Sequence, residues 1–386
     1  MKKSLFASLM MLFALACKEK PEEKPMYTLF VGTYTDGDSE GIYTYTFDSG
    51  TGELTHKQLA AKLTNPSYLA LSKNHKNLYA VQETADFDSL GGGVTAFTLN
   101  DGVLEIQNSL GTQGANPCHV SLSGDGHLAV ANYTGGNVAL FKLNADGSLK
   151  EHPQIIDHKL LDSTKTSHAH MAKFTADGLM VTDLGLDAIK RYKEENGEFV
   201  PGSQPSLPFA EGAGPRHFTF GEGGKMLYVI SELNSTISVF EKDTKGDYQE
   251  IQVVKTLDPN YQGNNACADL HLSPDGKFLY GSNRGENTIV IFSVDAESGT
   301  LSLVGRESVH GDWPRNFSMD PTGAYLLVAN KKTSNIVVFK RDAEKGTLTY
   351  LNETALPNPV WVVFEYWSRC QAVGRDSERD DDSQGR

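Results

Sequence analysis

Short runs of alternating apolar and polar residues, separated by glycine-rich turns, follow one another along most of the chain. Alternation of this kind predicts β-strands, and the Asp-Gly pairs between several runs are typical of antiparallel hairpin turns. The stretch GAGPRHFTF at residues 212–220 is representative, because a proline, an arginine and a histidine precede an apolar alternating run. The pattern therefore predicts an all-β chain.

The frame of this stretch recurs seven times. The residue in the place of Arg216 lies 45 to 52 residues from its counterpart in the next copy. The counterparts are Ser67, Cys118, His170, Arg216, Ala268, Arg315 and Val360. This period is typical of a four-stranded propeller blade. We therefore predict a seven-bladed β-propeller over residues 27–364.

The first and last copies of the frame are incomplete in complementary ways. The seventh copy stops after PVWVVF, whereas the segment after the tether begins with TLFVGTYT, GIYTYTF and TGELT, which read as second, third and fourth strands without a first. We predict that the C-terminal strand becomes the inner strand of the N-terminal blade. Closure of this kind removes exposed sheet edges.

Both ends of the chain fall outside this frame. MKKSLFASLMMLFALAC joins two lysines to a short apolar run and ends in a lipoprotein-like box, so residues 1–17 are predicted as a signal peptide with Cys17 as the lipidated residue. A cleaved signal without lipid and an unprocessed start are the alternatives. Residues 18–26 read as a charged tether and 365–386 as a disordered tail. The expected location is the cell envelope, either periplasmic or lipid-anchored to a bacterial membrane.

The charge balance narrows the range of partners. The chain has 49 acidic and 35 basic residues, a net charge of −14, which argues against binding of nucleic acid. An anionic ligand would need a local cluster of positive charge. The spacing of Cys118, Cys267 and Cys370 fits neither a metal site nor a disulfide framework, so buried free thiols are predicted.

Hairpin geometry gathers charged residues at one face of the ring. In a meander blade the start of the inner strand and the end of the next strand lie at the same face. The residues placed at this mouth are Tyr34, Glu83, Tyr133, His170, Arg216, Glu232, Arg284, Arg315 and Lys331. Charges that converge on an axial pocket stabilise a fold poorly, so we predict a ligand site. The alternative is a solvated ring of charges around a wet channel.

Several motifs resemble one known family. GAGPRH, SELNST, ACADLHLSPDGKFLYGSNR, the late WPR and the terminal PNPVWVVF are similar to the seven-bladed propeller lactonases, which include bacterial 6-phosphogluconolactonases and fungal carboxy-cis,cis-muconate cyclases. The resemblance covers residues 27–364. It implies a functional set of one histidine, two arginines and one glutamate, which fall on His170, Arg216, Arg284 and Glu232. His168, in SHAHMAKF, is an alternative to His170.

Lactone hydrolysis would use these residues in distinct roles. A base must activate water, donors must stabilise the oxyanion, and the leaving alkoxide needs a proton. We expect Glu232 to be the base, with His170 as an alternative base or the acid, and Arg216 and Arg284 to bind the oxyanion or a substrate anion. The predicted substrate-binding residues are Arg315, Lys331, His217, Glu83, Tyr34 and Tyr133.

The expected partner is a small anionic lactone, with membrane contact only through the lipid anchor. No cofactor is predicted. His168 and His170 have a spacing that can chelate a metal, but the sequence shows no third ligand nearby, so no metal is predicted. Two other functions remain open, a cyclase-like ring closure and a non-catalytic exported propeller that binds a carbohydrate or a protein.

Overall fold

The computed structural model describes residues 24–365, which form seven four-stranded antiparallel sheets arranged as a ring. The first fifteen strands are β1 (Met26–Thr33), β2 (Gly41–Asp48), β3 (Leu54–Lys62), β4 (Leu69–Leu71), β5 (Asn77–Gln82), β6 (Gly93–Asn100), β7 (Val103–Gly111), β8 (Pro117–Leu122), β9 (His127–Asn132), β10 (Asn137–Lys142), β11 (Gln154–Asp157), β12 (Ala169–Thr175), β13 (Gly178–Asp183), β14 (Ala188–Glu195) and β15 (Glu198–Pro208). The others are β16 (Pro215–Phe220), β17 (Met226–Ser231), β18 (Thr236–Lys242), β19 (Tyr248–Lys255), β20 (Ala266–Leu272), β21 (Phe278–Arg284), β22 (Thr288–Val294), β23 (Leu301–Ser308), β24 (Pro314–Met319), β25 (Tyr325–Asn330), β26 (Asn335–Arg341), β27 (Leu348–Ala355) and β28 (Pro359–Glu365). Two 3₁₀ turns cover His158–Leu160 and Glu222–Gly224.

The ring closes as predicted. The first blade has the order β28-β1-β2-β3, so the last strand of the chain is the inner strand of the first blade. β1 and β28 run antiparallel, with Leu29 opposite Phe364 and Val31 opposite Val362. The seven-bladed propeller is therefore confirmed. The first and last strands of the chain extend one residue beyond the predicted limits, to Met26 in β1 and Glu365 in β28.

The hydrophobic core lies in the spaces between neighbouring blades. Between the seventh and first blades, the rings of Phe47 and Tyr325 are 5.6 Å apart, and those of Phe47 and Phe364 are 5.2 Å apart, both edge to face. Edge-to-face geometry suits the ring quadrupoles and adds to the burial of apolar area. Because β28 contributes Val362 and Phe364 to this cluster, ring closure is also a packing event.

Tyrosines join successive blades through the outer turns. In four blades, a tyrosine at the first or third residue of the second strand donates its phenol hydroxyl to a glycine carbonyl of the following blade. These hydrogen bonds are Tyr79 to Gly147, Tyr228 to Gly299, Tyr280 to Gly346 and Tyr325 to Gly50. Gly147 has φ +90°, and a Cβ there would lie 2.5 Å from the Asn77 side chain. Only glycine fits such a turn without strain.

The predictions for the chain ends and cysteines have separate outcomes. Cys118 and Cys267 are buried free thiols, as predicted. Residues 1–17, the lipidation candidate Cys17, most of the tether, Cys370 and nearly all of the predicted tail lie outside the described residues. Within residues 24–365, no helix has the length and apolar character needed to cross a membrane.

Candidate functional site

A β-bulge at the start of the inner strands shapes the mouth of the ring. In β16, the pairing with β17 passes from Pro215–Ser231 to His217–Ile230, which leaves Arg216 without an opposite residue. The strands β8, β12, β20, β24 and β28 also shift register at this place. A bulge sets two residues against one. Arg216 and His217 consequently both contact the next inner strand, at Ala268 and Asp269.

Glu232 stands at the centre of the mouth between two arginines. Its Oε2 atom lies 2.8 Å from Arg216 Nε and 2.8 Å from Arg284 Nη2. Burial raises the pKa of the Glu232 carboxyl, but the charges of Arg284 and Arg216 outweigh burial and hold that pKa below its usual value. Glu232 is therefore a carboxylate at neutral pH.

Both arginines are held rigidly by backbone carbonyls of β20. Arg216 Nη1 donates to the Ala268 carbonyl at 2.5 Å, and Arg284 donates from Nε to Ala266 and from Nη2 to Cys267, at 3.1 and 2.9 Å. Burial and the neighbouring charge of Arg284 lower the pKa of Arg216 to about 10, so it stays charged at neutral pH. Arg216 Nη2 and Arg284 Nη1 have no hydrogen-bond partner among residues 24–365. Each guanidinium thus keeps a donor for a ligand.

A second charged cluster lies across the mouth. Glu83 Oε2 accepts hydrogen bonds from the Tyr34 hydroxyl at 2.8 Å and from Arg315 Nη2 at 3.2 Å. The Tyr34 ring also faces two cations, with the Arg315 guanidinium at 5.2 Å and Lys331 Nζ at 4.4 Å. Burial, together with the charge of Glu83, raises the pKa of Tyr34 far above its usual value, although Arg315 opposes this. The phenol therefore remains a donor. Lys331 lies at the rim and pairs with Asp36 at 3.4 Å.

The two candidate histidines occupy different places. His168 is stacked on Tyr133, with ring centroids 4.6 Å apart, and its Nδ1–H donates to the Tyr133 carbonyl at 3.1 Å. His170 lies deeper, with its ring 5.1 Å from that of His217. Burial, Arg216 and His217 hold the pKa of His170 well below its usual value, so the imidazole is neutral. Its Nδ1 atom is buried and has no hydrogen-bond partner among the described residues.

A further ring of side chains lies directly beneath the mouth, and sequence reasoning found only His217 in it. Its members directly follow residues of the Arg216 series: Tyr68, His119, His217, Asp269, Asn316 and Trp361. Met171, the corresponding residue of β12, packs in the core between blades instead. Simple strand alternation assigns these positions to the apolar space between blades. The signal that could have revealed them is their composition, because polar residues there are out of place in an apolar pattern.

One group with the composition of a metal site lies elsewhere. Asp125, His127 and Glu194 have ligand atoms within 4.8 Å of one another. Asp125 lies in the turn between β8 and β9, and His127 begins β9, both at the opposite end of the inner strand from the mouth. This group is therefore not part of the candidate site, and two of its three residues are exposed.

Comparison with known proteins agrees with the fold and identifies the family. The family model of the seven-bladed β-propeller lactonases matches residues 28–364. The chain is 39% identical over 303 residues to a 6-phosphogluconolactonase of Bacillus subtilis, covering 76% of this chain and 85% of that protein. It is 35% identical over 307 residues to a 6-phosphogluconolactonase of Formosa agariphila, covering 76% and 86%.

A solved structure supports the same family. The periplasmic gluconolactonase of Pseudomonas aeruginosa superposes with a TM-score of 0.82 at 33% identity, covering 88% of this chain and 99% of that chain. Its sequence identity is high enough to support kinship as well as a shared fold. The chain therefore belongs to the seven-bladed β-propeller lactonase family, as its sequence motifs predicted.

Proposed function

We propose that this lactonase opens a sugar-acid lactone of the gluconolactone type by attack of water in the arginine-lined mouth. The observation that carries the proposal is the contact of one carboxylate, Glu232, with two arginines that retain free donors. Relatives named 6-phosphogluconolactonase and gluconolactonase support this substrate class. A scaffold propeller without catalysis would have no need of such a costly buried arrangement.

In the proposed reaction, Arg216 and Arg284 stabilise the negative charge that develops on the carbonyl oxygen. Water adds to the carbonyl carbon and gives a proton to a base. The bond from that carbon to the ring oxygen then breaks, and the alkoxide takes the proton back. Donors that are already in place need no reorganisation during the reaction, and each is worth about 10²–10³ in rate.

Two groups are suited to take the proton from water. Glu232 is a carboxylate and His170 is a neutral imidazole, so each starts in the form that accepts a proton. Neither can supply a proton at the outset. The group that accepts the proton must therefore also return it to the alkoxide. The sequence predicted Glu232 as the base, with His170 as an alternative base or the acid. We propose instead that one of the two groups acts first as the base and then as the acid.

Charge balance favours a lactone without a phosphate group. Arg216, Arg284 and Arg315 face Glu232 and Glu83, which leaves a single positive charge in excess. The rim lysines do not change this balance because each has its own aspartate. These pairs are Lys331 with Asp36 and Lys332 with Asp312. A phosphate monoester carries close to two negative charges at neutral pH, more than this mouth balances.

The test is hydrolysis of glucono-1,5-lactone and of its 6-phosphate by purified protein, with the buffer rate subtracted. We expect a higher kcat/KM for the unphosphorylated lactone, and a fall of about 10²–10⁴ in kcat/KM for Glu232→Gln. Asp275→Asn is the matched control, since Asp275 pairs with the buried Arg341 at 2.6 Å, away from the mouth. No hydrolysis of either lactone by the wild type would overturn the proposed function. Preference for the phosphorylated lactone would overturn only the charge argument.

We also propose that the protein works in the cell envelope. The predicted signal and Cys17 support this, as does the relative named as a periplasmic gluconolactonase. Cells that carry the wild type or Cys17→Ala are fractionated after incorporation of a labelled fatty acid. The label is expected in the wild-type protein alone. Equal labelling of the variant would exclude Cys17 as the anchor.

A further inference from the structure

The residue two positions before each member of the Arg216 series lies at the rim of the mouth, at the entry to the inner strand. These residues are Asn65, Asn116, His168, Gly214, Ala266, Trp313 and Asn358. In five of the seven blades this residue has a left-handed backbone, with φ between +44° and +69°. Asparagine and glycine adopt that region readily, and they fill four of the five positions. The fifth is Trp313, and no other tryptophan, tyrosine or phenylalanine among residues 24–365 has a left-handed φ.

The frame of the blade, rather than the indole, imposes this backbone conformation on Trp313. The Trp313 carbonyl accepts a hydrogen bond from the Lys331 N–H at 3.1 Å, and the equivalent bond joins the Glu83 N–H to the Asn65 carbonyl in another blade. The Trp313 N–H donates to Asn287 Oδ1 at 3.0 Å. A bulky residue in the left-handed region is strained and persists only where its surroundings fix it. Asparagine would fit the same frame with less strain, so the presence of an indole calls for a reason.

The indole lies against one of the two arginines that contact Glu232. The guanidinium carbon of Arg284 is 5.2 Å from the centroid of the Trp313 ring, which is the range of a cation–π contact. The ring is also contacted by Lys332, whose Nζ atom lies 3.8 Å from the centroid. Arg284 binds the carbonyls of β20 and the Glu232 carboxylate through Nε and Nη2. The indole therefore adds a contact that leaves the Nη1 donor of Arg284 free.

An aromatic ring suits this position because it attracts a cation without carrying a charge. Arg216 and Arg284 share the single carboxylate of Glu232. Burial and the charge of Arg284 lower the pKa of Arg216, which shows that the two guanidiniums repel each other. A second carboxylate would relieve this repulsion, but it would also neutralise the positive charge that an oxyanion needs. The negative face of an indole stabilises Arg284 and leaves its net charge unchanged.

We propose that Trp313 is a positioning residue that holds Arg284 ready for the transition state of lactone hydrolysis. The proposal rests on the proposed hydrolysis and adds a residue that sets the rate through another side chain. Without the indole, the Arg284 guanidinium has less to keep it in place and meets the carbonyl oxygen less well. Because the negative charge on that oxygen develops only in the transition state, the loss falls on kcat rather than on KM.

The test compares Trp313→Asn and Trp313→Phe on glucono-1,5-lactone. Asparagine suits the left-handed backbone but has no ring, whereas phenylalanine keeps a ring and the strain. Trp313→Asn is expected to lower kcat about 10- to 100-fold, with KM changed less than about threefold, and to melt no lower than the wild type. Trp313→Phe is expected to keep kcat within about threefold of the wild type. An unchanged kcat in Trp313→Asn would overturn the proposal.

A double-mutant cycle determines whether Trp313 acts through Arg284. Arg284→Gln alone is expected to lower kcat about 10²- to 10³-fold. Trp313→Asn in that background is expected to lower kcat by less than about twofold more, because the group that the indole positions is already gone. Losses that multiply in the double variant would overturn the positioning role.

Tyr248→Leu is the matched control. The Tyr248 ring lies 5.2 Å from the guanidinium carbon of Arg191, the same separation as in the Trp313 pair, but at the face opposite the mouth. This variant is expected to melt at a lower temperature and to keep kcat within about twofold. A lower melting temperature in Trp313→Asn would overturn the proposal, because the indole would then serve packing. A wild type inactive on both lactones would instead overturn the proposed function.

Discussion

The loss of fold stability in acid tests directly whether the buried imidazole of His217 is held neutral by its surroundings. Burial and Arg216 lower the pKa of His217 from 6.5 to about 4, although its bond to Asp269 opposes the change. The unfolded chain therefore binds a proton at this residue over an interval where the folded protein does not. Stability from this group is present above pH 6.5 and declines as the pH falls toward 4. His271, on the other side of Asp269, also lowers the pKa of His217.

The magnitude follows from the width of that interval. One proton difference is worth about 1.4 kcal/mol per pH unit, so the interval from 6.5 to about 4 amounts to about 3 kcal/mol. Between pH 7 and pH 4, the unfolding free energy of His217→Gln is therefore expected to fall by about 3 kcal/mol less than that of the wild type. Glutamine keeps a donor for Asp269 and does not titrate.

Urea unfolding, followed by tryptophan fluorescence at both pH values, is the assay. His152→Gln is the control, because His152 is exposed and its substitution leaves the buried imidazoles unchanged. The wild type and the control are expected to lose the same stability in acid, and His217→Gln distinctly less. An identical loss in all three proteins would refute the conclusion that His217 is held neutral by its surroundings.

The other predictions concern closure, packing and thiol access. Deletion of 359–386 removes β28 and is expected to abolish cooperative unfolding, whereas deletion of 366–386 should leave the melting temperature within about 2 °C; similar melting of both would contradict closure by β28. Gly32→Ala should destabilise the fold by about 2 kcal/mol or more, measured by urea unfolding, because its Cβ would lie 2.2 Å from the Pro66 carbonyl oxygen. Burial raises the pKa of Cys118 far above its usual value, so its modification by a thiol reagent should require denaturant; rapid reaction of the native protein would contradict this.

The propeller could be predicted from sequence because its information is periodic. Seven copies of one frame reveal the blades, and two incomplete copies reveal the closure. The convergence of Arg216, Arg284 and Glu232 followed from the same reasoning, since hairpin geometry alone places the ends of neighbouring strands together. The resemblance then attached a chemistry to residues that the frame had already grouped.

The ring beneath the mouth could not be derived in this way. Strand alternation sends successive side chains to opposite faces, so it assigns Asp269, the residue after Ala268, to the apolar space between blades. The bulges break the alternation, and sequence spacing does not show where a bulge occurs. The relation between Asp269 and His217 also depends on contact between neighbouring blades, which local patterns do not encode. Only the unusual polarity of these positions could have indicated that they face the axis.

The direction of the closing strand sets how the molecule would sit on a membrane. β28 begins at the mouth with Pro359 and ends at the opposite face, where Glu365 lies opposite Thr28 of β1. The segment that precedes Met26 therefore leaves the ring on the face away from the pocket. A chain attached through Cys17 would be tethered from the face opposite the mouth, with its opening toward the surrounding fluid. Substrate would then reach the arginines without passing between the protein and the bilayer.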